Sequence, residues 1–162
     1  MAPMEEAERR REGLISPTLQ DHAPPRTADS PWALGSQVYV AFFGGALAVT
    51  AIALVNARRL GLPKKSRVAI GATGGAAFVA SIAVAALLFS GGGDGDAPSG
   101  LRVAVQLVGI AGWGIQYLIQ RPWDRLFQAF DEREYDSLLG PGLLAVLTLG
   151  LLQLGAVMAV TS

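Results

Sequence analysis

The sequence predicts an all-α integral membrane protein with four transmembrane helices plus one short interfacial helix. Three observations carry this. Four stretches contain no Asp, Glu, Lys, Arg or His: Val38–Val55, Val68–Phe89, Val103–Ile119 and Leu138–Val160, together 80 of the 162 residues. Each is close to the roughly 20 apolar residues that a helix needs to cross a bilayer's hydrocarbon core. Charged residues make up only 16% of the chain, against about 25% in soluble domains. This pattern excludes an ordinary soluble enzyme, a disordered chain and a disulfide scaffold.

Individual residue types narrow the chemistry. Lys and Arg together number 13, and so do Asp and Glu, so there is no basic excess to hold nucleic acid. Cysteine is absent and His22 is the single histidine. A thiolate or multi-histidine metal or haem site is therefore excluded, and no cofactor is expected. Arg outnumbers Lys 11 to 2 beside abundant Ala and Gly, a usage that suits a GC-rich bacterial genome.

Residues 1–36 read as a disordered polar tail, and 37–162 as the four-span membrane domain. In the tail, Glu5–Arg9 and Glu6–Arg10 pair at i,i+4, but Pro17, Pro24, Pro25 and Pro31 break any longer element. No apolar run resembling a cleaved signal occurs in residues 1–31. Val38–Val55 is thus expected to be both the targeting signal and the first span, with Trp32 and Tyr39 as interfacial aromatics at its start.

The end of that span is well marked. Arg58 and Arg59 suit a helix C-terminus, Gly61 fits the C′ position, and Pro63 forbids continuation. The loop over residues 56–67 carries Arg58, Arg59, Lys64, Lys65 and Arg67 and no acid. The second loop, Ser90–Arg102, is glycine-rich and reads as a flexible solvated turn.

The second span opens with Gly71-Ala-Thr-Gly74, which mimics a dinucleotide-binding loop. The helix after it is apolar all round, whereas a helix on a Rossmann sheet needs a solvated face. The glycines therefore read as packing residues. Gly71 and Gly75 form a G-x-x-x-G pair, with Ser81 in an i+4 ladder of small residues. In the third span, Gln106, Gly109, Gly112, Trp113 and Gln116 share an arc of about 120°. Gly109 and Gly112 are assigned to helix packing, and the amides are expected to bond across helices, with Gln153 of the fourth span as one candidate partner.

The third loop, residues 120–137, contains Trp123, Leu126, Phe127 and Phe130 at i, i+3, i+4, i+7. Charged and polar residues take the other side, so the segment predicts a short helix lying in the membrane interface. In the fourth span Pro141 sits near the helix start, where its missing N–H does little harm.

Orientation follows from the cations. Loops 56–67 and 120–137 carry eight Lys and Arg, and the other side has Arg102 and Arg26 within reach of a span. By the positive-inside rule the two loops are expected to be cytoplasmic and both termini outside. No charged group falls inside a span, which argues against a pump or a proton-coupled carrier.

The run Tyr39-Val-Ala-Phe-Phe-Gly-Gly-Ala-Leu-Ala48, followed by Asn56-Ala-Arg-Arg-Leu-Gly61, resembles the opening of small bacterial multi-span membrane proteins of unknown function. Their pattern is A-x-F-x-G-G-x-L-A … N-x-R-x-L-G; this chain has Val40 at its first place and Ala46 where many have Pro. The resemblance implies no activity. The reading is of a non-enzymatic accessory or interaction protein of the bacterial inner membrane. Its partners would be the lipid bilayer and another membrane protein or further copies of itself. The alternative is a subunit of a small oligomeric transporter or channel. An interfacial enzyme acting on lipid is the weakest candidate.

Overall fold

A computed structural model describes residues 29–90, 100–131 and 133–161. Every regular element among them is helical, and four segments are long and apolar enough to cross a membrane. They are α1 (Gln37–Arg59), led in by a 3₁₀ turn over Leu34–Ser36; α2 (Lys64–Ser90); α3 (Leu101–Phe130); and a fourth segment. That last one runs as α4 (Leu139–Ala145), a π-helical stretch (Val146–Gly150) and α5 (Leu151–Thr161).

The first segment is not one straight rod. Gly45 has φ 71° and ψ −163° in the middle of α1, a backbone region that is essentially glycine-only. A straight 23-residue helix would be about 34 Å long, yet the Trp32 N–H donates to Asn56 Oδ1 at 2.7 Å. Asn56 Nδ2 returns a bond to the Trp32 carbonyl at 3.1 Å. The segment therefore folds back at Gly45 into a helical hairpin. A descending arm, 37–44, lies against a returning arm, 46–59. Both ends sit at one face of the molecule, the base, and the glycine tip lies inside it. This replaces the single traverse expected for Val38–Val55, because the expectation counted apolar length and not chain direction.

The other helices line up along the hairpin. α2 leaves the base with Ile70 in a buried cluster with Leu34, Ala53, Ala57, Leu60 and Leu62. It reaches mid-height where Ala77 meets Gly112 of α3. α3 returns antiparallel to α2, with Gly109 beside the tip and Gln120 beside Asn56. The fourth segment starts at the base, where Leu138 packs with Trp32, and passes the tip at Val146 and Gly150. Between α1 and α2, the Leu62 N–H bonds the Ala57 carbonyl and the Gly61 N–H bonds that of Arg58, with Gly61 at φ 71°. That is the Schellman closure the Gly61–Pro63 pattern predicts.

Four other expectations are corrected. Residues 1–28 of the expected tail lie outside the described residues, but its last part is structured: Trp32 and Leu34 are each only 3% exposed. Trp32 is core and not an interfacial ring. The third loop has no separate interfacial helix; α3 continues through Pro122 to Phe130. Trp123 and Phe127 turn inward onto the Leu34–Ile70 cluster, while Leu126 and Phe130 are exposed. Finally, Gly71 and Gly75 have open space where a side chain would stand. Gly74 is the close-packed position, pressed against the Thr50 side chain. An evenly apolar helix has no face that sequence can select; here Ile70, Gly74, Ala77, Ser81 and Ala85 face inward. Gly75→Leu should thus leave the thermal unfolding midpoint of the isolated chain in detergent within experimental error, while Gly74→Leu should lower it.

Candidate functional site

The hairpin tip is the place where the chain breaks the rules of a membrane-type helix bundle, so the site is built from there. Four glycines converge on it. A side chain on Gly44 would stand 3.0 Å from Val146 Cγ2, and one on Gly150 would stand 3.1 Å from Gly44 Cα. A side chain on Gly109 would stand 3.2 Å from the Ala41 carbonyl oxygen, and one on Gly45 2.7 Å from the Gln153 amide. At Gly109 and Gly150 the backbones of three segments therefore meet with no side chain between. The fourth segment turns π-helical over Val146–Gly150 exactly at this level of the bundle; such bulges shift the register of the residues that follow.

Breaking a helix leaves carbonyls unbonded at one end and N–H groups at the other. Two glutamines meet these ends. Gln106 Nε2 donates to the Phe42 carbonyl near the close of the descending arm, at 3.3 Å. Gln153 Oε1 accepts from the Leu47 N–H at the start of the returning arm, at 3.1 Å. Gln153 is thus bonded to backbone and not to the amides of α3. Beyond the tip lies a cleft of about 490 Å³, lined by Gly44, Gly45, Gln106, Gln153, Arg102 and apolar residues of α3 and α5. Arg102 marks its outer end, about 10 Å along α3 from Gly109.

From the tip to the base, polar side chains follow one stripe of α3. Gln116 Nε2 donates to Thr50 Oγ1 at 2.9 Å. Gln120 Oε1 accepts from Asn56 Nδ2 at 3.3 Å, and Gln120 Nε2 reaches the Gln116 carbonyl at 3.4 Å. Gln37, Asn56, Gln116 and Gln120 are essentially unexposed. Not every group is satisfied. Trp32 Nε1, Gln37 Nε2, Trp113 Nε1 and Gln116 Oε1 are buried and make no hydrogen bond among the described residues. A buried polar group left unbonded costs about 1–3 kcal/mol.

The base closes the stripe. Arg59 Nη1 donates to the Ser30 carbonyl at 2.7 Å and to Asp136 Oδ2 at 3.0 Å, with its guanidinium 4.1 Å from the centre of the Trp32 ring. Residues around Trp32 and Asp136 form one isolated parallel β-bridge. The Arg59 hydrogen bond, helped by the Ser137 N–H, holds the Asp136 carboxyl below its usual range. Nearby, the Tyr135 hydroxyl donates to Asp124 Oδ1 at 2.8 Å and accepts from Gln128 Nε2 at 2.7 Å. Burial, above all, pushes the Tyr135 hydroxyl up to about 12. A phenol with a raised folded value stabilises fully below the unfolded value near 10 and stops doing so as pH rises through about 12. Alkaline titration followed at the tyrosinate absorbance should show one tyrosine ionising late, and Tyr135→Phe should remove that late step.

Of the residues assigned to packing from sequence, Ser81, Gly109 and Gly112 lie at helix contacts, while Gly71 and Gly75 do not. Sequence reasoning missed Gly44, Gly45, Gly150, Gln37, Thr50 and Asn56. One signal was present: a glycine pair halfway along an apolar run, with Gln37 and Asn56 near its two ends. Each glycine costs about 1 kcal/mol inside a helix, and a pair at the centre marks a break. Among the described residues, no three His, Asp or Glu are grouped to hold a metal. No protein family, curated protein or solved structure matches this chain.

Proposed function

We propose that this chain is a multi-pass protein of the bacterial inner membrane and a subunit of a small passive channel or carrier. In this reading α2, α3 and the fourth segment cross the bilayer, and the α1 hairpin enters and leaves through the base. The exposure pattern supports a lipid environment: Leu107, Leu118, Leu143, Leu151 and Met158 are each more than half exposed, while Gln37, Gln116, Gln120, Gln153 and Asn56 are buried. In water that arrangement would be inverted.

One observation carries the pathway reading. Irregular backbone at membrane depth is tolerated only where it is enclosed by protein or lines a polar cavity. Here it is enclosed by protein at Gly44 and Gly45, which border a largely apolar cleft that carries Gln106 and Gln153 and reaches out to Arg102. The cleft leads to the tip and the buried amides lead from the tip to the base. The absence of Asp, Glu, Lys, Arg and His from the apolar stretches fits passive movement of an uncharged solute. Purified protein in liposomes should raise the entry rate of small polar solutes several-fold over protein-free vesicles. Rates equal to the protein-free control across such a panel would defeat this reading.

The hairpin also changes the expected topology. With both its ends at the base, eight of the nine Lys and Arg in residues 29–162 gather there and Arg102 stands at the far end. The base, with loops 56–67 and 120–137, is then cytoplasmic, and the N-terminal tail no longer has to cross. In intact cells, Ser16→Cys and Ser66→Cys should resist an impermeant maleimide and Ser99→Cys should react. Labelling at Ser16 with protection at Ser66 would restore four full crossings.

The accessory-protein reading has its own observation. α3 is about 45 Å long where a hydrocarbon core is about 30 Å thick, and its far end shows Leu126 at 40% and Phe130 at 79% exposure. Such a face can dock a partner at the cytoplasmic surface. Co-purification of one stoichiometric protein, lost in Phe130→Asp, would favour it.

A further inference from the structure

Between the tip and the base, three buried polar atoms have no hydrogen-bond partner among the described residues: Gln37 Nε2, Trp113 Nε1 and Gln116 Oε1. Gln37 is 1% exposed and Gln116 is unexposed. Helical register places the three within about 5 Å of one another along the bundle axis. Gln37 stands one turn before Ala41, whose carbonyl faces Gly109. Trp113 stands one turn beyond Gly109 on α3, and Gln116 follows three residues later on the same stripe. The group is confined to about 10 Å of α3.

The set is two donors and one acceptor. Gln116 cannot exchange its amide ends to repair the deficit, because the Thr50 hydroxyl donates to the Ala46 carbonyl and so can only accept from the Gln116 nitrogen. What complements two N–H donors and one carbonyl is a single molecule that accepts twice and donates once, which water does with one proton to spare. No charged group offers a counter-ion here: none occurs in α1 between Val38 and Val55, nor in α3 between Val103 and Gln120.

We propose that Gln37, Trp113 and Gln116 form a binding site for one water molecule between the tip and the base. The same site makes the seam a route for neutral hydrogen-bonding molecules of that size and a barrier to ions. The second statement rests on the pathway reading above; the first does not.

The test separates the two. The protein is labelled with indole-¹⁵N tryptophan in lipid nanodiscs, and the Trp113 signal is identified by its loss in Trp113→Phe. A direct cross-relaxation peak to water, distinguished from proton exchange by its sign, is expected at the Trp113 indole N–H. In Gln116→Leu it should fall several-fold. A wild-type protein with native tryptophan shifts and no such peak would overturn the site, whatever the flux. In parallel, osmotic shrinkage of proteoliposomes should be several-fold faster than in protein-free vesicles, with no added K⁺ or Cl⁻ leak. The water peak with an unchanged shrinkage rate would leave the site standing and sink the pathway. A K⁺ or Cl⁻ leak would overturn the barrier to ions.

Discussion

Gly45→Ala is expected to destabilise the fold by about 2–6 kcal/mol. Two costs combine. The φ 71°, ψ −163° backbone is one that an L side chain avoids at about 1–3 kcal/mol. The new Cβ would also stand 2.7 Å from the Gln153 amide, and overpacking of this kind adds about 1–3 kcal/mol. Gln153 cannot retreat without releasing the Leu47 N–H, which would leave the returning arm's first turn unbonded. Gly75→Ala is the matched control: its Cβ meets open space, and the exchange should be neutral or slightly stabilising. Thermal unfolding in detergent should separate the two by many degrees. Equal midpoints would mean that α1 runs straight through Gly45.

Asn56→Leu comes next, at about 3–5 kcal/mol. Asn56 is unexposed and ties the two ends of the hairpin, with bonds to the Trp32 N–H, the Trp32 carbonyl and Gln120 Oε1. Leucine fills the same volume but leaves those three groups unbonded, each costing about 1–3 kcal/mol when buried and not fully additive. The base should loosen locally as well. With Trp113 and Trp123 replaced by Phe, Trp32 emission should shift to the red and its quenching by aqueous iodide should rise. Arg125→Leu, at an exposed position on α3, should do neither. A blue-shifted, protected Trp32 in Asn56→Leu would show that apolar packing alone holds the hairpin shut.

How much of this was legible beforehand differs from element to element. The close of α1 could be read residue by residue, because a Schellman end is local chemistry: Gly61 supplies the positive φ and Pro63 ends the helix. The inward stripe of α3 was legible too, since amides and glycines at helical spacing stand out against an apolar background. The inward face of α2 was not. Its residues differ little in polarity around the helix, so the neighbour decides, and the Thr50 side chain selects Gly74 over the more conspicuous Gly71 and Gly75. Trp123 and Phe127 misled in the opposite sense. They resemble an interfacial stripe, but their rings fill a protein cluster under Leu34 and Leu62.

The sequence by itself determined that the chain is helical, apolar over half its length, charged chiefly at one end of the bundle and without cysteine or a second histidine. These properties follow from composition and from periodicities of a few residues, which act over a single helical turn. Only the tertiary structure decided that the first apolar run returns on itself. A run of 23 helical residues is long enough for one crossing or for two half-crossings, and apolar length is the same for both. The choice is made by contacts between residues far apart in the chain: Trp32 with Asn56, Gln106 with Phe42, and Gln153 with Leu47. Each satisfies a backbone group that the break at Gly45 or the base leaves open, and none has a signature short enough to be read along the chain.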